Sequence, residues 1–329
     1  LSAGVLGEIK RFDLREGFVF NWAMSSSASI DKRSAGGGVL MDTGAHALDL
    51  VLWLLGDIDL GSLAYSDDSE SGVEADCVLE CRTREGAAGR VELSRTRDLR
   101  NSLRIEGTKG WVEVHTADNQ VFGGSEAALA FVHEGMGPVR FPQQRTPDLF
   151  DAQFRDFLAA ASGEPTQGTS GPDAARSVAV IESCYERRGA LLAPWDEAAT
   201  PASKPGSPSV PHGSTVVITG ASGFIGGRLA ERLVRECGAR VRCLVRDLGH
   251  ATRLARLPVE IVKADLADPA AIDKAVAGAQ FVFHCAYDPR SRAQNMTGTQ
   301  NLVDACLLQR RAQGIGPRAG LYGEVDPQH

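Results

Sequence analysis

Two short runs in this chain carry residues whose types and spacing could do chemistry. The first is Thr219-Gly220-Ala221-Ser222-Gly223-Phe224-Ile225-Gly226. Its three glycines permit, in order, a tight turn, close approach of the backbone to a pyrophosphate, and close packing of a helix on a sheet. A helix opening at Phe224 would aim its unpaired N–H groups at the phosphates. The second run places Asp42, His46 and Asp49 at i, i+4 and i+7, on one helical face. An acid one turn before a histidine can orient the imidazole and stabilise its charged form. That suits a ring taking a proton from an alcohol as hydride leaves. The same spacing also fits a plain surface ion pair, and the residues alone leave both readings open. A metal site would need a third clustered ligand, and the run supplies none.

Each run needs elements to hold it. Around the first, strand and helix alternate. Strands are expected at Thr215–Thr219, Val241–Val245, Val259–Ala264 and Phe281–His284. Helices are expected at Phe224–Glu236, Ala251–Leu257, Pro269–Gly278 and Asn295–Gln309. Short apolar strands in βαβα order mean a parallel, doubly wound sheet, here in spatial order 3-2-1-4. Around the second, a strand-like run Ile9 to Phe20 precedes Gly36-Gly37-Gly38 and a helix from Val39 to Leu55. Alternating stretches follow at Ala75–Cys81, Gly89–Ser94, Asn101–Glu106 and Trp111–His115, as in an antiparallel meander. Two more helices, near Asp148–Ala161 and Pro172–Arg188, complete an α+β domain with helices on one face of an open mixed or antiparallel sheet. Four prolines among Ala, Ser and Gly mark 196–213 as a linker. The expected domains are therefore 1–195 and 214–329. The first holds 20 basic and 31 acidic side chains up to residue 213, and the second 15 and 11.

The downstream domain resembles the extended short-chain dehydrogenase/reductases, the NAD-dependent epimerase/dehydratase family. TGASGFIG (219–226) is similar to its glycine motif, which implies that Gly220, Ser222, Gly223, Phe224, Ile225 and Gly226 bind the dinucleotide. Asp265 and Leu266 in VKADL resemble the pair that contacts adenine. His284, Cys285 and Ala286 in FVFHCAY resemble the segment beside the cofactor, and NMTGTQNLVDAC (295–306) the helix after it. The cofactor implied is NADP or NAD. At the end of the second strand stands Arg246 rather than an acid, and a guanidinium there can pair with a 2′-phosphate, which favours NADP. The family's proton transfer needs a Tyr and Lys spaced YxxxK, and no YxxxK occurs in the sequence. Leu321-Tyr322-Gly323-Glu324 resembles the family's VYGE without the strand that should precede it.

The upstream domain resembles the C-terminal domain of the glucose–fructose oxidoreductase/inositol dehydrogenase/MocA family. GGGVLMDTGAHALDL (36–50), ELSRT (92–96), IEGTKGWVEV (105–114) and the closing helices at 154–190 carry the likeness. It implies a substrate-binding Asp42 and a catalytic His46. It also implies a homo-oligomer formed through the open sheet. The EKP motif of that family's preceding nucleotide domain is absent. Together the two halves imply an NAD(P)-dependent protein acting on a sugar or nucleotide-sugar, present as an incomplete fusion. A non-catalytic dinucleotide-binding or oligomerisation module is the alternative.

Composition supports a globular chain. Of 329 residues 43% are hydrophobic and 23% charged, and the net charge of −7 lacks the basic cluster of a nucleic-acid binder. No apolar run is expected to span a membrane, and no secretory signal opens the chain, which begins at Leu1 without an initiator methionine. Seven cysteines without a CxxC pair are expected to be buried thiols in a reducing cytoplasm.

Overall fold

The computed structural model describes residues 4–20, 22–116, 129–141, 149–166, 168–191 and 210–312. The proline-rich segment from 196 to 209 and the run Leu321-Tyr322-Gly323-Glu324 lie outside the described residues. The chain divides into two units, Leu1–Asn21 with Ala28–Pro201, and Trp22–Ser27 with Ala202–His329.

The first unit is a mixed sheet with helices. Its strands are β1 (Ile9–Gly17), β2 (Ala64–Asp67), β3 (Asp76–Arg82), β4 (Ala88–Ser94), β5 (Ser102–Gly107), β6 (Gly110–His115), β7 (Leu129–His133), β8 (Val139–Phe141) and β9 (Arg188–Ala190). They lie in the order β8-β7-β6-β5-β1-β4-β3-β2-β9. The expected meander is therefore interrupted. β1 sits between β4 and β5, parallel to β4 and antiparallel to β5. The reason lies in its alternation, because Phe12 and Leu14 are buried while Arg11, Asp13 and Arg15 point the other way. A long strand with one fully apolar face is best used at the centre of the sheet. Gly89 makes the pairing possible, since a Cβ there would run into the ring of its partner Phe12.

Helix α1 (Lys32–Ala35) leads into α2 (Val39–Leu55), and α3 (Leu149–Ala161) and α4 (Gly171–Glu186) follow the sheet. Leu40, Ala47, Leu48, Val51 and Leu52 of α2 share a core with Leu14, Leu79, Val91, Leu93 and Ile105 of the strands and Val180 and Ile181 of α4. Each fully buried leucine or valine contributes about 1.5–3 kcal/mol. The stretch Lys32–Leu55 has the length and apolar composition of a bilayer-crossing helix. That revises the expectation that no run is long enough. Its apolar side is nevertheless the side packed on the sheet, and Asp42, His46 and Asp49 lie off it. The glycines before α2 are there for close approach. A Cβ on Gly37 would strike the Tyr185 hydroxyl, and one on Gly38 would strike the Glu74 carbonyl.

The second unit alternates β10 (Thr215–Thr219), α5 (Phe224–Cys237), β11 (Arg240–Val245), α6 (Thr252–Ala255), β12 (Glu260–Lys263), α7 (Pro269–Val276), β13 (Phe281–His284) and α8 (Arg292–Ala312). The four strands are parallel in the order β12-β11-β10-β13, the expected 3-2-1-4. Val216, Val217 and Ile218 of β10 are fully buried. A central parallel strand covered on both faces must be apolar throughout.

Candidate functional site

The loop between β10 and α5 is a backbone cradle. Gly220 has φ +65°, and a Cβ on it would lie 2.7 Å from the Ala286 backbone. Only glycine combines that dihedral with that approach. The Gly223 N–H closes a turn on the Gly220 carbonyl at 3.0 Å. A Cβ on Gly226 would strike that same carbonyl, so the glycine lets the first turn of α5 sit against the loop. Ser222, Gly223, Phe224 and Ile225 are exposed, Phe224 by 90%. The start of α5 is thus exposed beside the glycine loop and its N-cap has no side-chain hydrogen bond, which leaves its first N–H groups for an anion such as a pyrophosphate.

The other expected residues stand at the carboxyl ends of the neighbouring strands. Arg246 follows β11 and is exposed, and Asp265 and Leu266 follow β12. Asp265 accepts the Ala267 N–H at 2.9 Å and shapes its own turn. Leu266 is held to α8, its carbonyl accepting from the Asn301 amide at 2.9 Å and its side chain facing the Cβ-free Gly298. After β13, Cys285 donates its N–H to the Thr219 carbonyl at 3.2 Å, and Ala286 covers Gly220. Asn295 clamps the loop beyond, accepting from the Asp288 N–H at 2.9 Å and donating to its carbonyl at 2.8 Å. The segments bearing all four resembled motifs therefore meet at one end of one sheet, where doubly wound folds bind ligands.

His284 ties this end together. Its Nδ1 lies 2.7 Å from the Thr219 hydroxyl and its Nε2 3.0 Å from that of Thr299. Thr299 donates its own proton to the Asn295 carbonyl. The network therefore assigns the ring proton to Nε2, with Nδ1 accepting from Thr219. Burial lowers the His284 pKa below its usual 6.5. The unfolded chain thus binds more protons than the folded one once the pH drops through 6.5. Stability from the neutral ring is present above that pH and is lost as the pH falls towards the folded value. The second unit should accordingly melt at a lower temperature at pH 5.5 than at pH 7.5, and His284→Gln should shrink that difference. Melting curves at the two pH values check it, and equal pH sensitivity in the variant would contradict it.

In the first unit, α2 holds Asp42 and His46 on exposed positions. No hydrogen bond or ion pair joins them among the described residues, so the expected carboxylate–imidazole contact is not what the structure brings together. Asp42 pairs instead with Arg95, Nη2 to Oδ2 at 2.6 Å. Burial raises the Glu16 carboxyl at the end of β1, and the Thr116 hydroxyl and then His46 pull it part of the way back. Two functional candidates were not singled out from the sequence. Arg95, in the turn after β4, was visible only as a letter inside ELSRT. Glu74 gave no signal at all, being one acid in the polar stretch before β3.

Glu74 is fully buried. Its Oε1 accepts from the Gly38 N–H at 2.8 Å, the Leu40 N–H at 3.2 Å and the Tyr185 hydroxyl at 2.7 Å. Its Oε2 faces Arg188 at 3.3 Å, and Arg188 also pairs with Asp67 at 2.6 Å. A carboxylate therefore closes the N-terminus of the helix that bears Asp42 and His46, where the helix dipole favours a negative charge. Burial and the Glu74 charge both push the Tyr185 phenol up, so it stays a donor. The thiols of Cys77, Cys81 and Cys184 are buried and unbridged.

Residues 1–113 match the family model described as GFO/IDH/MocA C-terminal domain, and residues 220–313 match NAD(P)H-binding. Among curated proteins, 2-alkyl-3-oxoalkanoate reductase of Stenotrophomonas maltophilia is 38% identical over 109 residues, covering 31% of this chain and 31% of its own. Tetraketide alpha-pyrone reductase 1 of Arabidopsis thaliana is 36% identical over 108 residues, covering 28% of this chain and 33% of its own. The chain thus spans about a third of the length of these curated relatives. Among solved structures, aldose-aldose oxidoreductase from Caulobacter crescentus aligns with a TM-score of 0.45 at 23% identity, over 56% of this chain and 55% of that one.

Proposed function

We propose that this chain, whose residues 1–113 belong to the GFO/IDH/MocA family as its C-terminal domain and whose residues 220–313 form an NAD(P)H-binding domain, is an oxidoreductase-type protein for a sugar or nucleotide-sugar. The observation that carries the reading is the glycine loop, whose own backbone packs tightly at 220 and 226 and leaves Gly223 and the start of α5 exposed beside it. A bound nicotinamide dinucleotide supplies the hydride acceptor or donor. Ser222, Gly223, Phe224 and Ile225 would hold its pyrophosphate, Asp265 and Leu266 its adenine end, and His284, Cys285 and Ala286 would line its path. Independently of that domain, in the first unit Asp42 would accept a hydrogen bond from a substrate hydroxyl and His46 would hold a proton beside it.

Arg246 supports NADP over NAD. It is exposed at the end of β11, and its charge reaches Asp288. Arg246→Ala should weaken NADPH binding roughly tenfold while leaving NADH nearly unchanged, since a hydrogen bond to a charged group is worth about 1.5–3 kcal/mol. Fluorescence titration of both dinucleotides measures this, and equal losses would count against the 2′-phosphate pairing. A homo-oligomer through the open sheet belongs to the same reading. That face carries cross-strand ion pairs such as Arg11–Glu106 at 2.5 Å and Arg104–Glu113 at 3.4 Å, mixed charges that can complement a second copy.

A second reading, a non-catalytic dinucleotide-binding or oligomerisation module, is favoured by one observation: YxxxK is absent from the sequence. Titration with NADPH and assays with a panel of nucleotide-sugars test both. Binding without turnover is expected of this chain as it stands. Clear epimerase or reductase turnover would overturn that expectation, because the sequence offers no Tyr–Lys pair of the right spacing for the proton transfer. Absence of binding would end the first reading and leave only an oligomerisation module of the second.

A further inference from the structure

The geometry points to Arg95 as the positioning residue for Asp42, holding one carboxylate oxygen so that Oδ1 is turned to accept a hydroxyl hydrogen. This rests on the reading of Asp42 as a substrate-binding carboxylate and goes beyond it. Arg95 is only 5% exposed, whereas the Asp42 side chain is 62% exposed. Its backbone is pinned on both sides, the N–H donating to the Ala75 carbonyl at 2.8 Å and the carbonyl accepting from Phe20 at 2.9 Å. Its guanidinium lies over the Phe20 ring, 5.4 Å from the centroid. The turn that presents it is fixed by Ser94, whose Oγ accepts from the Thr96 and Arg97 N–H groups at 3.1 and 2.9 Å.

Stability does not account for this arrangement. A buried guanidinium loses its hydration, and a partner that is mostly in solvent returns little of that loss. Arg95 Nε, moreover, is buried without a hydrogen-bond partner. A fold that served only itself would spend such a cation on a buried acid, as Arg188 is spent on Glu74 and Asp67. Arg95 instead reaches the exposed face of α2 and takes one carboxylate oxygen there. Asp42 Oδ1 accepts no hydrogen bond among the described residues. What remains is a fixed, charged acceptor pointing outward, one turn from His46, suited to a ligand that offers hydroxyl donors.

The test needs neither dinucleotide nor sugar, so its outcome is independent of whether the chain binds or turns over anything. NMR couplings between the Asp42 Hα and Hβ protons report whether its side chain is held in one rotamer. The parent is expected to hold one χ1 rotamer, and Arg95→Met to average over several. Arg95→Lys, which keeps a cation without the forked donor, should recover part of the order. Asp49 on the same helix serves as the internal reference and should not change. An Asp42 as ordered in Arg95→Met as in the parent would overturn the proposal. So would an equal loss of order at Asp49, which would mean a loosened helix rather than a released carboxylate. If Arg95→Met fails to fold by circular dichroism, Arg95→Gln gives the same comparison.

Discussion

A chain carrying Gly223→Asp should keep its fold and lose dinucleotide binding. The residue has φ −81° and ψ 170°, a conformation open to any amino acid. A Cβ there meets only the Gly220 carbonyl, at 3.2 Å. The carboxylate would nevertheless stand at the opening of α5, where the pyrophosphate must come, and would both fill and repel. Like charges brought together cost several kcal/mol, so affinity should fall by about 100-fold or more. NADPH fluorescence titration with circular dichroism alongside measures both halves of the statement. Gly220→Ala is a useful contrast. With φ +65° and the Ala286 backbone 2.7 Å from its Cβ, it should disturb the loop itself. Unchanged binding by Gly223→Asp would mean that the dinucleotide sits elsewhere.

Glu74→Ala should be the most damaging single change in the first unit. It would leave the Gly38 and Leu40 N–H groups and the Tyr185 hydroxyl without their acceptor. It would also remove one of the two carboxylates facing Arg188. Breaking one side of a buried ion pair costs about 3–5 kcal/mol. Urea unfolding followed by circular dichroism should show a loss in that range. Glu74→Gln, which keeps an oxygen for the two N–H groups and surrenders the charge, should cost less. A loss below about 1 kcal/mol for the alanine variant would show that the helix end is held by packing alone. Because α2 carries Asp42 and His46, hydrogen exchange at its first turn should rise in parallel.

The second unit was legible almost element by element. Short apolar strands between glycine and proline breaks can form only a parallel sheet covered on both faces, and the glycine loop sits where such a sheet turns into its first helix. Local spacing carries that information, so β10 and β13 have the bounds expected of them. Helix α2 was equally plain, because its apolar positions recur at the helical period. The first unit's sheet was not. Strands β2 and β9 are four and three residues long, and so short a run has no periodicity to read.

What the sequence by itself determined is the list of chemical parts: three spaced glycines, an arginine after the second strand, an Asp and a His one turn apart. What only the tertiary structure decided is which of these parts are joined. The spacing of Asp42 and His46 suggested that they serve each other, yet Arg95, 53 residues further along, takes the carboxylate. Glu74 reaches the start of α2 across 36 residues. Neither contact leaves a local trace, because charge attraction and burial act through space and a side chain's partner depends on where the chain returns. The insertion of β1 between β4 and β5 makes that return. It sets Glu16 and the turn holding Arg95 at the same end of the sheet, beside the helix whose face the sequence had already marked.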